Sequence, residues 1–259
     1  MVGTIGVIVV LIGAGAGIAI RMTSSGSHRP SGAPCQATVG SAFYPLDLDQ
    51  AANATTIAAV GKRMGLPDHA VTIALAAAMQ ESELHNVSSG DLDSVGLFQQ
   101  RPSQGWGTPS QIRVPSYAAR VFYQHLAAVP GWQAMAVTAA AQSVQRSAAP
   151  DAYAQWEPAA RLLAQVLTGE APAGLGCRFT KPGNGPINST LTRAMTDELG
   201  VPSFGVVVAP AWGWTVASWV VGHAQQYHVK SVTFAGQRWT PARRTWSADS
   251  HATDQIQIA

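Results

Sequence analysis

Between Asp49 and Leu167 apolar residues recur at three- and four-residue spacings, broken by Gly and Pro, and no stretch before residue 200 alternates convincingly with period two. This pattern predicts helices through the centre of the chain and leaves no strand there. Asp49 can cap a helix running to about Met64, where Gly65 and Pro67 are stop signals. The next helix starts near Pro67 or Asp68 and carries Ala70, Ile73, Ala74, Ala77 and Glu81 along one stripe. Pro115 opens a third, closed by Pro130-Gly131; others span about Ala134 to Gln145 and Asp151 to Leu167, with Gly169 as the terminal signal. Short helices of this kind make a compact α-domain.

Composition narrows the function classes. Charged residues make up 12% of the chain and the formal net charge is +2, with no Lys/Arg run, which argues against a nucleic-acid partner. Val2 to Ile20 is uncharged and is followed by Arg21, so residues 1–21 read as a transmembrane anchor or a signal peptide with Ala14-Gly15-Ala16 as a small-residue site. Residues 22–34 read as a flexible linker. Cys35 and Cys177 flank the central segment. In an oxidising compartment a bond between them closes a loop worth roughly 5 kcal/mol by chain entropy. The expected localisation is therefore extracytoplasmic, membrane-anchored or secreted.

After Gly169 the composition changes. Residues 178–188 read as a linker and 189–259 as a small α/β domain. Within that domain Leu191 to Leu199 and Trp214 to Tyr227 are predicted helices, and Phe204 to Ala209, Val229 to Phe234 and Gln255 to Ile258 predicted strands. The fold class expected for the whole is α+β. Trp212, Trp214, Trp219, Trp239 and Trp246 crowd this tail; core packing accounts for Trp219 and others, and an exposed minority is left for binding.

One local rule is broken. Glu81 falls in the last turn of its predicted helix, where the carbonyl end disfavours negative charge by a few tenths to ~1 kcal/mol. It also ends an apolar stripe. Both push its carboxyl pKa upward, as a general acid requires. A polar loop follows, then Gly96-Leu97-Phe98-Gln99-Gln100.

Met79-Gln80-Glu81-Ser82 followed by Gly96-Leu97-Phe98-Gln99 resembles the Glu-Ser and Gly-Leu-Met-Gln signatures of the lytic transglycosylase and goose-type lysozyme superfamily. Gln142-Ser143-Val144-Gln145 stands where many members carry Ala-Tyr-Asn, and Tyr153 follows on the terminal helix. The resemblance covers about Leu48 to Gly169, and with it residues 35–177 are expected to form a lysozyme-like domain. It implies a place at the cell wall and cleavage of peptidoglycan glycan strands at the MurNAc-GlcNAc β-1,4 bond, with Glu81 acting first as acid and then as base, the substrate's N-acetyl group assisting, and a 1,6-anhydro product. Ser82, Gln99, Gln100, Gln145, Tyr153 and Trp106 are the implied or candidate substrate-binding residues. Asp93 and Asp91 are candidates for a second carboxylate of the lysozyme kind, against turn hydrogen bonding as the ordinary role of such residues. A lysozyme-type muramidase and a non-catalytic wall-binding module are the rivals.

No cofactor or metal is expected. His69, His85 and His125 lack ligand spacing and read as structural or solvated. The tail is faintly similar to zinc-dependent carboxypeptidase-like wall domains, yet Asp254 is followed by Gln255 and Gln257 in place of histidines. The expected partners are glycan strands, the membrane through the N-terminal helix, and envelope machinery of unspecified kind.

Overall fold

The computed structural model describes residues 32–180, 187, 190–201, 203–205 and 209–259. The expected N-terminal anchor (1–21), most of the 22–34 linker, most of the 178–188 linker and the centre of the strand expected at 204–209 lie outside the described residues.

The chain is α+β, and strands occur where none was expected. β1 (Cys35–Val39) and β2 (Ala42–Leu46) form a hairpin, and β3 (Leu175–Cys177) pairs antiparallel with the other side of β1. Cys35 and Ala37 alternate as buried residues with half-buried Gln36 and Thr38. Alternation is therefore present, but over five residues and with small side chains it carries little signal. Pro45 lies in edge strand β2, where a missing N–H interrupts no ladder. Cys35 stands opposite Cys177 in register, and the two form a disulfide with Cα atoms 3.9 Å apart. The bond ties the first strand to the one that follows the helices.

Helix α1 (Leu48–Arg63) is capped by Asp47, two residues before the expected cap Asp49. Asp47 accepts from the Gln50 backbone N–H at 2.7 Å, and Gln50 Oε1 accepts from the Asp47 N–H at 2.9 Å. This reciprocal pair needs a residue with a carbonyl-type side chain three positions on, which Asp47 has and Asp49 lacks. Helix α2 (Asp68–Ser82) is enclosed rather than amphipathic: every residue from Ala70 to Met79 is buried. A helix apolar all round belongs in the centre of a core. Its alanines let neighbours approach closely, and α4 (Pro115–Ala127), α5 (Val137–Gln145) and α6 (Glu157–Leu167) pack around it with α1. The four-residue α3 (Pro109–Ile112) precedes α4. Helix α6 begins later than expected because Pro158 lacks an N–H and is tolerated only in a first turn; a 3-10 turn, Ala154–Trp156, leads into it.

The remainder continues the same core. Helix α7 (Thr190–Leu199) and α8 (Pro210–Gly222) both pack on α1, and α8 also touches α6 and β3. Pro210 at the N-terminus starts α8 a turn earlier than its apolar pattern indicates. Strands β4 (Val232–Phe234), β5 (Gln237–Trp239), β6 (Ser247–Ala248) and β7 (Gln257–Ile258) form an antiparallel sheet of order β6-β5-β4-β7. A Cβ on Gly213 of α8 would overlap the Phe234 ring, so glycine is what lets helix and sheet meet. Trp219 and Trp239 are fully buried and Trp214 nearly so. The indole N–H groups of Trp239 and Trp246 donate to the Cys177 and Leu175 carbonyls of β3. Most of this tryptophan density is packing. Among the described residues no helix is long and apolar enough to cross a membrane.

Candidate functional site

Helix α2 ends with two successive left-handed residues, Glu83 (φ 52°) and Leu84 (φ 65°). The Leu84 N–H reaches back to Ala78 and the Glu83 N–H to Met79. This closure satisfies carbonyls at the helix end and turns the chain sharply away. Glu81 is left half-buried at the mouth of an apolar core, one residue before the helix stops.

The loop beyond returns to the same place. Gly96 has φ 78°, and a Cβ there would press on the Ile112 carbonyl, so this position requires glycine. Ser82 Oγ donates to the Leu97 carbonyl at 2.8 Å, and Gln145 Nε2 donates to the next carbonyl, Phe98, at 2.8 Å. Adjacent carbonyls of one segment are thereby pinned to the ends of α2 and α5. Tyr153, from the turn before α6 rather than from the helix itself, donates its hydroxyl to Glu81 Oε1 at 2.6 Å. Its position is held by the next turn: Gln80 Oε1 accepts from Trp156 Nε1 at 2.8 Å and Gln155 Nε2 at 3.0 Å.

Burial raises the Glu81 pKa, while hydrogen bonds from Tyr153 and Gln145 act in the opposite direction; burial wins. The same burial, with the Glu81 charge beside it, pushes the Tyr153 phenol up, so it remains a donor. The result is a carboxyl that can keep a proton yet whose anion has one fixed donor, the Tyr153 hydroxyl.

A cleft of about 490 Å³ opens beside this group, lined by Trp106, His125, Val144, Gln145 and Arg146 among others. Glu81 is not on its wall; Gln145 belongs to both. Trp106 is only 7% exposed and stacks on His125 with ring centroids 4.0 Å apart. His125, read from sequence as structural or solvated, is exposed and also lines this cleft. Burial and the Arg146 charge lower its pKa, favouring the neutral ring. Arg146 carries no sequence signal: it follows α5 as a left-handed cap, and only the fold brings it beside Trp106.

Other candidates take different places. Gln100 is not a sugar-binding edge: it is 1% exposed and donates to the Ala118 carbonyl at 3.1 Å. The left-handed turn at Gln99 (φ 47°) directs the following residue inward, where it bridges back to Val95. Gln99 is half-buried, accepting from Ser94 Oγ and donating to the Gly96 carbonyl, and so braces the loop. Asp93 accepts from Arg101 Nε at 2.8 Å and from the Ser103 N–H at 2.8 Å, and these partners hold its pKa down to about 2. Such a carboxylate is a turn fastener and a weak base. Asp91 is exposed, and its carbonyl takes the Ser94 hydroxyl at 2.6 Å. Among the described residues no group of His, Cys, Asp or Glu is arranged to hold a metal ion. No protein-family model matches the chain, and no curated protein matches it significantly.

Proposed function

We propose that the protein is a lytic transglycosylase-like glycosidase with a lysozyme-like helical core, acting outside the cytoplasm on peptidoglycan glycan strands. The observation that carries the reading is Glu81: a half-buried carboxyl with a raised pKa, fastened by Tyr153 beside an aromatic-walled cleft that Gln145 also lines. Glu81 gives its proton to the glycosidic oxygen as the bond to the sugar C1 breaks, and the neighbouring N-acetyl oxygen closes on C1. The resulting Glu81 carboxylate then takes the proton of the sugar's own C6 hydroxyl, whose oxygen displaces the acetamido oxygen and leaves a 1,6-anhydro end. Tyr153 stabilises the carboxylate between the two steps.

One feature favours one carboxylate over two, and another the compartment. Asp93 is engaged by Arg101 and Ser103, and its low pKa makes it a poor activator of water. The disulfide suits an oxidising compartment. Digestion of purified sacculi by wild type and Glu81→Gln, read by mass spectrometry of the released fragments, tests the proposal.

A further inference from the structure

A second cleft, of about 390 Å³, lies where α1, the turn after α2, α7 and the end of α8 meet. Its wall includes Asn53, Thr56, Glu198, His223 and Tyr227, and none of them belongs to the Glu81 site. The charged residues lining it are Asp49 and Glu198, with His85, which lies 3.5 Å from Asp47; no lysine or arginine lines it.

The hydrogen bonds leave this cleft short of donors. Glu198 Oε2 takes both the Thr56 hydroxyl and the Trp219 indole N–H, each at 2.7 Å, while no donor reaches Oε1 from the described residues. His223 Nδ1 lies 2.9 Å from the Trp219 carbonyl, which can only accept, so the ring proton sits on Nδ1. Burial favours the neutral imidazole. Its Nε2 is then an acceptor, and the nearest hydroxyl, Thr56 at 3.4 Å, has already spent its proton on Glu198. His223 is 6% exposed, and among the described residues only that committed Thr56 hydroxyl comes within reach of this acceptor at the cleft wall. Asn53 uses its amide N–H on the Leu84 carbonyl, and no described residue donates to its oxygen. Tyr227 is 7% exposed and lines the cleft, and no described residue hydrogen-bonds its hydroxyl.

We propose that this cleft is a binding site for a primary ammonium group, carried by a small amine or by an amine-bearing side chain. An ammonium brings three N–H donors and one positive charge to a place that presents acceptors and negative charge. Tyr227 adds an aromatic wall of the kind that favours cations. A carboxylate or phosphate ligand would meet Glu198 and Asp49 with like charge. The inference is independent of the glycosidase reading, since no residue is shared between the clefts.

The test is titration of the isotope-labelled full chain with n-propylamine, followed at the indole N–H resonances, because the Trp219 N–H rests on Glu198. Expected is a saturable shift with n-propylamine and none with n-propanol or propionate. Glu198→Gln weakens binding at least tenfold and Tyr227→Phe several-fold, while both leave glycan cleavage unchanged. If Glu198→Gln fails to fold, Tyr227→Phe and Asp49→Asn carry the test through the same titration. An equal response to n-propanol, a preference for propionate, no saturable shift, or variants that bind n-propylamine as tightly as wild type would overturn the proposal.

Discussion

The Tyr153 hydroxyl donates to Glu81 Oε1 at 2.6 Å, so the side chain that fixes the carboxyl also opposes the burial that keeps it protonated. Removing that donor leaves burial less opposed. Tyr153→Phe is therefore expected to raise the Glu81 pKa further. In the proposed mechanism the protonated carboxyl is the active form, so activity falls as pH rises through that pKa. The alkaline limb of the pH–rate profile should move to higher pH, while the maximum rate drops by about tenfold to a hundredfold through lost positioning. A lower rate with an unmoved limb would mean that Tyr153 does not act through Glu81.

The same carboxyl carries a stability cost at neutral pH. Its folded pKa lies above the ordinary value of 4.5. Its contribution to stability is thus fully present below the unfolded pKa and is lost as pH rises through the folded one. Glu81→Gln should melt higher than wild type at pH 7, by roughly one to a few degrees, as expected when a strained functional group is neutralised. The difference should shrink below pH 4.5. Scanning calorimetry at both pH values checks the sign; a variant less stable at neutral pH contradicts it.

Asp93 behaves in the opposite sense. Its partners Arg101 and Ser103 lower its pKa from 3.8 to about 2, so its stabilisation is present above 3.8 and fades as pH falls through about 2. Asp93→Asn should loosen the loop from Asp91 to Ser103, read as faster amide exchange there, and lower glycan cleavage by no more than about tenfold. A loss as deep as that of Glu81→Gln would make Asp93 a second catalytic carboxylate.

The Cys35–Cys177 bond spans 142 residues in sequence. Chain entropy assigns about 5 kcal/mol to a loop that long, and measured effects fall between about 2 and 5. Denatured protein without reductant should show no free thiol, and the Cys35→Ser/Cys177→Ser double variant should unfold at markedly lower denaturant concentration. Two titratable thiols, or an unchanged midpoint, would contradict the pairing.

The sequence exposed the helices whose ends carry Pro or Gly, and it exposed Glu81 through a local conflict, a carboxylate at the carbonyl end of an apolar helix. Cap chemistry was only partly legible: the sequence pointed to Asp49, whereas Asp47 is the cap, and only the reciprocal bond with Gln50 decides. The strands around the disulfide were hidden because five residues of small side chains give almost no period. The fate of Gln100 was hidden as well: a single left-handed residue, Gln99, separates a loop amide from a core amide. His125 and Arg146 could not be paired with Trp106 by spacing, since α4 and α5 meet them at the cleft only after packing around α2.

The most direct test of the account is the fragment spectrum of digested sacculi, wild type beside Glu81→Gln. The account predicts 1,6-anhydro ends from wild type and a loss of at least about a hundredfold in the variant, which removes the only proton donor proposed. Fragments with reducing ends, or the same release from both proteins, would contradict it.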